Sequence, residues 1–194
     1  KALEENQTFD IVPLPRGKDC VGGKWVYNIK NDKFGNESFK ARFVAKGYSQ
    51  IEGINYHETF SPTIRMSSIR LFTQLAKEND FDIHQMDVKA AFLNAPIDCE
   101  IFVEQPQGFE QKGKNVNERL VLKLNKSLYG LKQSGRNWNN MLDSYLIDEG
   151  FIKSKNDPCF YFTPNYDMYL LVWVDDILIA SKPDTIGNMK KVLE

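Results

Sequence analysis

The amino-acid sequence of 194 residues predicts an α+β fold, with a mostly antiparallel sheet and helices behind it. Segments typical of strands and of helices follow one another without the regular alternation of βαβ units. Two pairs of strand-like segments are separated by short turns, as in antiparallel hairpins. Other segments repeat apolar residues at helical spacing. These observations favour one domain of mixed class or two small lobes.

The first predicted element is a β-hairpin. Lys24–Lys30 forms one strand, residues 31–36 form the turn, and Ser38–Ala45 forms the return strand. Aromatic and β-branched residues alternate with basic ones, which is typical of a half-exposed ribbon. A period of two places Lys40 and Arg42 on one face. From these residues alone, a ribbon whose basic side chains simply face water remains an alternative.

The remaining elements are predicted from period and from turn residues. In chain order they are a helix from Ser67 or Ser68 to about Lys77, a strand over Phe81–Val88, a helix over about Asn137–Glu149 with Gly150 as its C′ residue, strands over Cys159–Phe162, Tyr169–Val174 and Ile177–Ala180, and a helix from about Asp184. The apolar stripes of the helices are Ile69, Phe72, Leu75 and Ala76; Trp138, Met141, Leu142, Tyr145 and Leu146; and Ile186, Met189, Val192 and Leu193.

The charges are segregated along the chain, although the net charge is only −1. Lys24–Lys46 contains six basic residues against two acids, and Lys112–Arg136 contains seven against one. Between them, Glu78–Glu110 contains eight acids and one lysine. Two basic stretches flanking an acidic one suit a polyanion held around a cation site. The alternative is ordinary solvated surface.

The composition excludes several classes of protein. Hydrophobic residues make up 42% and charged residues 26%, which is typical of a globular chain rather than a disordered one. The cysteines, Cys20, Cys99 and Cys159, form no cluster with His57 or His84, so neither a zinc site nor a disulfide framework is predicted. Free thiols fit a reducing, intracellular setting.

No apolar run approaches the roughly 18–20 residues of a membrane-spanning helix. The longest run, Tyr169–Val174, is followed directly by acids. The chain starts with Lys1 and shows no charged-then-apolar leader. We therefore expect a fragment or processed piece of a protein without a signal peptide and without a membrane partner.

Two adjacent acids, Asp175 and Asp176, lie between two runs of strand-forming residues. The spacing suits a tight hairpin with the acids at or beside its turn. Burying ionised carboxylates costs several kcal/mol unless they are compensated, and neighbouring carboxylates repel. A divalent cation such as Mg²⁺ removes both problems because it requires hard oxygen ligands. The alternative is a solvent-exposed turn in which Asp is only a good turn former.

A third acid, Asp87, ends the predicted strand over Phe81–Val88. If that strand neighbours the hairpin, Asp87, Asp175 and Asp176 converge. Such a cluster can hold two metal ions about 4 Å apart, the arrangement used in phosphoryl transfer. Taken alone, without its two partners, Asp87 is better explained as a strand-end cap.

Five segments that include these acids resemble the reverse transcriptase of copia-type LTR retrotransposons. They extend over most of the chain, from about Lys24 to Ser181, and occur in the order found in the family. The segments are Lys40–Gly47 (KARFVAKG), Tyr56–Pro62 (YHETFSP), Gln85–Asn94 (QMDVKAAFLN), Ser127–Ser134 (SLYGLKQS) and Trp173–Asp176 (WVDD). Trp173 stands where many relatives have Tyr or Phe beside the acid pair.

The resemblance implies the fold of a right-hand polymerase, with fingers and palm present. The fingers would comprise residues 1–62, including the basic hairpin 24–46, and residues 95–134. The palm would comprise residues 63–94 and 135–194, with an antiparallel sheet backed by helices. We expect the thumb to be absent and the palm truncated, since the chain ends before the segments that follow in the family.

The resemblance also implies an RNA-directed DNA polymerase that transfers a nucleotide from a dNTP to a primer 3′-hydroxyl with two Mg²⁺ ions, Mn²⁺ being an alternative. Asp87, Asp175 and Asp176 would be the catalytic, metal-binding acids, with Asp87 and Asp175 as ligands of both ions. Val88 belongs to the same metal-binding set.

The nucleotide-binding residues follow from the same resemblance. Basic side chains of the ribbon would reach the triphosphate, backbone amides after Asp87 would meet phosphate oxygens, an aromatic ring would exclude a 2′-hydroxyl, and a glutamine would lie near the nucleotide. These residues are, respectively, Lys40 and Arg42; Val88 to Ala91, including Ala90 and Ala91; Phe92; and Gln133. From sequence alone, Phe92 also fits a core position and Gln133 a polar loop.

The expected partners are an RNA or DNA template–primer, dNTP, and the ribonuclease H and integrase domains of a polyprotein. The expected location is intracellular, in cytoplasmic virus-like particles or the nucleus. Two other interpretations remain open at this point. One is a catalytically inactive or repurposed nucleic-acid-binding module with the same fold, and the other is an unrelated Mg²⁺-dependent phosphatase or nuclease. We also expect that the truncated piece can be inactive by itself.

Overall fold

A computed structural model describes residues 1–31, 33–113 and 118–193 of the chain. The predicted hairpin turn includes Asp32, which lies outside the described residues, as does part of the second basic stretch. The side chains of Val192 and Leu193, which belong to the predicted stripe of the last helix, also lie outside them.

Helices and antiparallel strands are mixed along the chain, which confirms the predicted α+β class. The strands are β1 (Phe9–Pro13), β2 (Gly23–Asn31), β3 (Glu37–Ala45), β4 (Asp82–Asp87), β5 (Phe102–Val103), β6 (Leu120–Leu124), β7 (Ile152–Lys153), β8 (Phe160–Phe162), β9 (Met168–Trp173) and β10 (Asp176–Ser181). The helices are α1 (Ala2–Glu5), α2 (Met66–Glu78), α3 (Ala91–Asn94), α4 (Ser134–Asp148) and α5 (Pro183–Leu193), with a 3₁₀ turn at Gly47–Ser49. In the described parts of the chain, no helix combines the length and apolar character required to cross a membrane.

The chain divides into two compact units, each built from two separate parts of the sequence. The first unit comprises Lys1–Thr59 and Phe92–Asn137. The second unit comprises Phe60–Ala91 and Trp138–Glu194. Each unit therefore has its own core, and the chain passes from one unit to the other three times. The assignment of these units to fingers and palm stays a prediction.

The first unit contains a three-stranded antiparallel sheet in the order β1-β6-β5. Strand β6 is central and buries Val121, Leu122 and Leu124. Phe102 and Val103 of β5 are also buried. The sequence analysis did not predict this sheet, because its strands are short and lack a turn signal that joins them.

The predicted hairpin of the first unit is confirmed. Strands β2 and β3 pair over nine residues each, from Gly23 opposite Ala45 to Asn31 opposite Glu37. Alternate residues of a strand face opposite sides of the ribbon, and here one side is aromatic while the other is basic. The predicted common face of Lys40 and Arg42 is also confirmed.

Two glycines hold the base of this hairpin against the loop after β6. The N–H of Ala45 donates to the carbonyl of Tyr129 at 2.8 Å. A Cβ atom on Gly130, whose φ is +92°, would lie 2.2 Å from the Ala45 carbonyl oxygen. One on Gly47 would lie 2.0 Å from the Gly130 carbonyl oxygen. The two segments thus meet backbone to backbone, and only glycine permits this approach.

The second unit contains a five-stranded antiparallel sheet in the order β4-β10-β9-β8-β7. Helix α2 packs on one face of it, where Phe72 and Ala76 are buried with Tyr169, Leu171 and Ala180. Helix α5 packs against β4 and β10. The predicted antiparallel sheet backed by helices is therefore present in this unit. Strands β10 and β9, which follow β4 in the order of the sheet, carry most of its buried side chains.

The start of α2 corrects one prediction. The N-cap residue is Arg65, and the helix begins at Met66, so neither Ser67 nor Ser68 is the cap. Ser68 lies instead in the first turn, with its side chain buried. Its hydroxyl donates a hydrogen bond to the Asp157 carboxylate, which brings the charge that this helix end lacks in its own sequence.

Helix α4 begins at Ser134, three residues earlier than predicted, and its end agrees with the prediction. Gly150 has a φ of +88°, and its N–H donates to the Ile147 carbonyl. The N–H of Phe151 donates to the Leu146 carbonyl at 2.9 Å. These two bonds form a Schellman motif, which requires the left-handed conformation that glycine adopts without strain.

Candidate active site

Asp87 and Asp176 face each other across two neighbouring strands of the second unit. Asp87 is the last residue of β4, Asp176 is the first residue of β10, and the two are direct partners in the antiparallel register. Cα atoms of such partners lie about 4.5–5.5 Å apart, and their side chains leave the same face of the sheet. Asp87 is exposed and Asp176 is half-buried. Two remote acids are therefore brought side by side.

The third acid, Asp175, lies in the two-residue turn between β9 and β10. Trp173 pairs with Asp176, so Val174 and Asp175 are the central residues of a tight hairpin, as predicted. The carbonyl of Asp175 accepts a hydrogen bond from the N–H of Val88 at 2.8 Å. The turn is thus anchored to the residue that directly follows Asp87.

Val174 adopts a φ of +55°, which is uncommon for a β-branched residue. Among the described residues with positive φ, Asp175 does not occur. A positive φ at the first central residue alone is the sign pattern of a type II′ turn, where glycine is usual. Such a conformation persists only where its surroundings hold it, and it is found most often at functional sites.

Gln85 is a member of this site that the sequence analysis did not single out. Its Nε2 donates to Oδ1 of Asp176 at 2.8 Å, which orients that carboxylate. Gln85 precedes Asp87 by two residues in β4, so both side chains leave the same face of the strand. This period-two relation is the signal in the sequence from which its proximity to the acids follows.

The donor atoms of the site fit a divalent cation. Within residues 1–31, 33–113 and 118–193, no three or more His, Cys, Asp or Glu side chains are already arranged to hold a metal ion. Asp87 and Asp176 nevertheless stand opposite each other, where two negative charges repel unless a cation lies between them. Carboxylates and backbone carbonyls are the hard oxygen donors that Mg²⁺ requires.

The segment after Asp87 corrects one expectation about its amides. The N–H of Val88 is bonded to the Asp175 carbonyl, so it is not available to a phosphate oxygen. The carbonyl of Val88 remains compatible with the metal-binding role predicted for this residue. Ala90 has a φ of +54° and is half-buried, and Ala91, which is buried, begins α3.

In the first unit, Arg42 and Phe92 contact the same aromatic ring. The guanidinium carbon of Arg42 lies 5.8 Å from the centre of the Tyr129 ring, within the range of a cation–π contact. The Phe92 ring centre lies 4.9 Å from that of Tyr129. The sequence analysis assigned Arg42 to the triphosphate and Phe92 to the sugar without any link between them. Tyr129, inside the SLYGLKQS segment, supplies that link.

The other two predicted nucleotide contacts differ in exposure. Lys40 is exposed on the basic face of the ribbon. Gln133 is fully buried: its Nε2 donates to the Asn55 carbonyl at 2.7 Å and to Asp98 Oδ1 at 3.5 Å, and its oxygen accepts a hydrogen bond from Gln50. In this arrangement Gln133 fixes the loop before α4, and direct contact with a nucleotide would require these bonds to open.

Comparison with known families decides what kind of protein this is. Residues 6–194 match the family model described as reverse transcriptase (RNA-dependent DNA polymerase). The chain belongs to the reverse transcriptase family. The resemblance that the five segments indicated is therefore confirmed, and it extends over almost the whole chain.

Relatives of this reverse transcriptase chain are polyproteins of transposons. A retrovirus-related Pol polyprotein from transposon TNT 1-94 of Nicotiana tabacum is 44% identical over 186 residues, covering 94% of this chain and 14% of that protein. The corresponding polyprotein from transposon RE1 of Arabidopsis thaliana is 40% identical over 185 residues, covering 93% and 12%. The transposon Ty1-H Gag-Pol polyprotein of Saccharomyces cerevisiae is 31% identical over 179 residues, covering 89% and 9%. The chain thus spans 9–14% of the length of these relatives.

Proposed function

We propose that this chain supplies the fingers and palm of an RNA-directed DNA polymerase from a copia-type retrotransposon. The first unit would be the fingers and the second unit the palm. Membership of the reverse transcriptase family supports this proposal. The observation that carries it is the pairing of Asp87 with Asp176, because two acids 89 residues apart in sequence become direct partners at one end of a sheet.

The acids would hold the ions from two sides. Two Mg²⁺ or Mn²⁺ ions held there would supply activation of the primer 3′-hydroxyl and charge stabilisation for the leaving diphosphate. Asp87, at the end of β4, and the Val88 carbonyl would be ligands of the ions. Asp175 in the turn and Asp176 at the start of β10 would supply the other carboxylate ligands. Gln85 keeps the Asp176 carboxylate in a fixed orientation. The Val88 amide keeps the turn against β4.

Recognition of the incoming nucleotide would fall to Lys40, Arg42, Phe92 and Gln133 of the first unit and to Ala90 and Ala91 of the second unit. Arg42 would grip triphosphate oxygens in a bidentate way, assisted by Lys40. Phe92 would lie under the sugar and exclude a 2′-hydroxyl. Tyr129 contacts both Arg42 and Phe92 and so links the two side chains. The backbone at Ala90 and Ala91 would approach the phosphates, and Gln133 would fix the loop before α4 through its hydrogen bonds to Asn55 and Gln50.

The proposal extends to the partners of the complete protein. An RNA or DNA template–primer would follow the basic stretches, with an affinity that falls steeply as salt rises. Because the relatives are polyproteins, we expect ribonuclease H and integrase domains elsewhere in the parent protein. Its work would take place inside the cell, in cytoplasmic virus-like particles or in the nucleus.

Primer extension by the complete polymerase that contains this segment tests the proposal. Asp87→Asn and Asp175→Asn should each lower extension by about 100- to 1,000-fold, as expected when one group that stabilises transition-state charge is lost. The matched control is Asp82→Asn, which makes the same change at the other end of β4. Equal extension by the parent and Asp175→Asn would refute the role of that acid.

The same assay separates the other interpretations. A nucleic-acid-binding module without catalysis would bind the template–primer in the parent and in Asp87→Asn, and neither would show metal-dependent extension. A phosphatase or nuclease would release phosphate or nucleotides without templated extension. Either result would overturn the polymerase assignment of this chain.

A further inference from the structure

A hydrogen bond joins helix α4 to the turn that contains Asp175. The indole Nε1–H of Trp138 donates to the backbone carbonyl of Val174 at 2.6 Å. Trp138 is only 4% exposed, so its ring is buried. A buried indole needs a partner for its single donor, and here that partner is a backbone atom of the turn.

The turn has two consecutive carbonyls, and each is bound by a different element. The carbonyl of Val174 accepts a hydrogen bond from the Trp138 indole N–H of α4. The carbonyl of Asp175 accepts one from the amide of Val88, which follows β4. Val174 and Asp175 are the only residues between the paired strand ends Trp173 and Asp176. The position of the peptide groups around Asp175 is therefore fixed from the helix side and from the strand side.

The turn needs this external support because its own conformation is unfavourable. Val174 is held at a φ of +55°, and a β-branched side chain disfavours this region by an order of 1 kcal/mol or more. Val174 is also 36% exposed, so burial holds it less firmly than it holds a core residue. The bond from Trp138 acts on the residue that carries the strain.

We propose that Trp138 is a positioning residue for the catalytic turn: its N–H fixes the Val174 carbonyl and thereby the placement of the Asp175 carboxylate relative to Asp87. The inference rests on the proposed polymerase function, because that proposal makes Asp175 in this turn a catalytic residue. In this role Trp138 acts on the turn through the Val174 carbonyl and not on the reacting groups themselves. Its ring stabilises the core, whereas its N–H sets the geometry of the turn, and the two roles are chemically separable.

Two variants remove the N–H and keep an aromatic ring in place. Trp138→Phe removes the N–H and reduces the ring. Replacement of Trp138 by 3-benzothienylalanine keeps the two-ring volume and exchanges only the N–H for sulfur, which makes the test independent of any cavity. The matched control is Tyr161→Phe, which removes the donor of another buried ring in the same unit, where the hydroxyl donates to Asp143 at 2.8 Å.

Amide hydrogen exchange in the complete polymerase gives a readout that needs no catalysis. If Trp138 holds the turn, loss of its N–H should speed exchange of the Val88 amide about five- to tenfold, the effect of one net hydrogen bond. The Val172 amide, which donates to the carbonyl of Cys159 directly before β8, should keep its rate. If Trp138 only stabilised the fold, its replacement would speed exchange of the Val88 and Val172 amides together. Tyr161→Phe should leave the ratio of the two rates unchanged.

The dependence of primer extension on Mg²⁺ gives the second readout. Both Trp138 variants should raise the Mg²⁺ concentration for half-maximal extension by about tenfold while the KM for template–primer changes less than twofold, since only the acid position is altered. Unchanged Mg²⁺ dependence with an unchanged exchange ratio in the benzothienylalanine protein would reject the inference. Asp175→Asn in the same experiment separates the two proposals: if it retains activity, the polymerase assignment of the turn fails, and if it is inactive while the Trp138 variants are normal, only the positioning role fails.

Discussion

The Asp157 carboxylate accepts a hydrogen bond from the Ser68 hydroxyl and so connects the loop before β8 to the first turn of α2. The same carboxylate accepts hydrogen bonds from the N–H groups of Arg65 at 3.1 Å and Cys159 at 2.9 Å. It is 3% exposed. A helix without a capping side chain of its own is thereby capped from a distant segment.

This arrangement predicts a pH-dependent contribution to stability. Burial by itself would raise the pKa of Asp157, but the hydrogen bonds from Ser68, Cys159 and Arg65 outweigh it and lower the pKa below its usual value. A carboxyl group whose pKa is lowered in the folded state stabilises the fold at pH values above its unfolded pKa of about 3.9. This contribution to stability disappears as the pH falls through the folded pKa.

Asp157→Asn should therefore lower the free energy of unfolding by about 1–3 kcal/mol at pH 7, because two backbone donors and a hydroxyl lose a charged acceptor. The deficit should shrink as the pH falls from about 5 towards 2. Denaturant unfolding of the complete polymerase at several pH values measures this loss of stability. Asp82→Asn, which makes the same change at an exposed position, is the control. A deficit that is constant over this range would show that the charge of Asp157 plays no part.

Local patterns in the sequence were sufficient to predict the hairpins and the main helices. The β2–β3 and β9–β10 pairs each combine alternation with a short turn, and α4 ends at a glycine in the left-handed conformation that its position requires. The cap of α2 was predicted wrongly because its acceptor, Asp157, lies 89 residues from Ser68. No period or propensity connects two residues at that separation.

The same limit applies to the candidate site. The acids were predicted from chemistry and resemblance, yet their pairing depends on the register of β4 with β10. The contact of Arg42 and Phe92 with Tyr129 is likewise a consequence of tertiary packing. Gln133 shows the opposite case: from sequence alone it fits a polar loop, whereas the structure buries its side chain, and three hydrogen bonds satisfy its amide.

The backbone contact at Gly130 predicts an unequal effect of two identical substitutions. Gly17 and Gly130 both have positive φ, but a Cβ on Gly17 meets no atom within 4 Å, whereas one on Gly130 would lie 2.2 Å from the Ala45 carbonyl oxygen. Gly17→Ala should lower the free energy of unfolding by about 1 kcal/mol, because only backbone strain is added. Gly130→Ala should lower the free energy of unfolding by at least about 3 kcal/mol, or prevent folding, because the base of the hairpin must also move.

Urea denaturation of both variants measures this difference. The comparison holds the chemical change constant, so only the steric contact distinguishes the two positions. Equal losses of stability would mean that the hairpin and the loop after β6 separate easily, and that their backbone contact is not a constraint on the fold.

The stacking of Arg42 on Tyr129 predicts that lysine cannot replace this arginine. Arg42→Lys keeps the positive charge but loses the planar group that contacts the ring and grips phosphate in a bidentate way. We expect the KM for dNTP to rise about tenfold while the KM for template–primer stays within about twofold, which corresponds to one interaction of 1–2 kcal/mol. Steady-state primer extension measures both constants.

Arg16→Lys is the matched control, because Arg16 is exposed in the same unit and the same atoms are exchanged. It should leave both constants unchanged. A rise in the KM for template–primer rather than for dNTP in Arg42→Lys would assign Arg42 to the nucleic acid instead of the triphosphate.

The position of Phe92 against Tyr129 predicts a loss of sugar discrimination when the ring is removed. Phe92 is half-buried and its ring lies 4.9 Å from the Tyr129 ring, so the neighbouring ring keeps its edge in place. Phe92→Val should raise the relative efficiency of ribonucleotide incorporation by about 10- to 100-fold, since a steric contact of a few atoms is worth about 1–3 kcal/mol. Single-nucleotide extension with matched dNTP and rNTP measures the ratio, and Phe109→Val repeats the change at an exposed ring of the same unit. Because the ratio cancels general losses of activity, an unaltered ratio in Phe92→Val would leave the ring with a packing role alone.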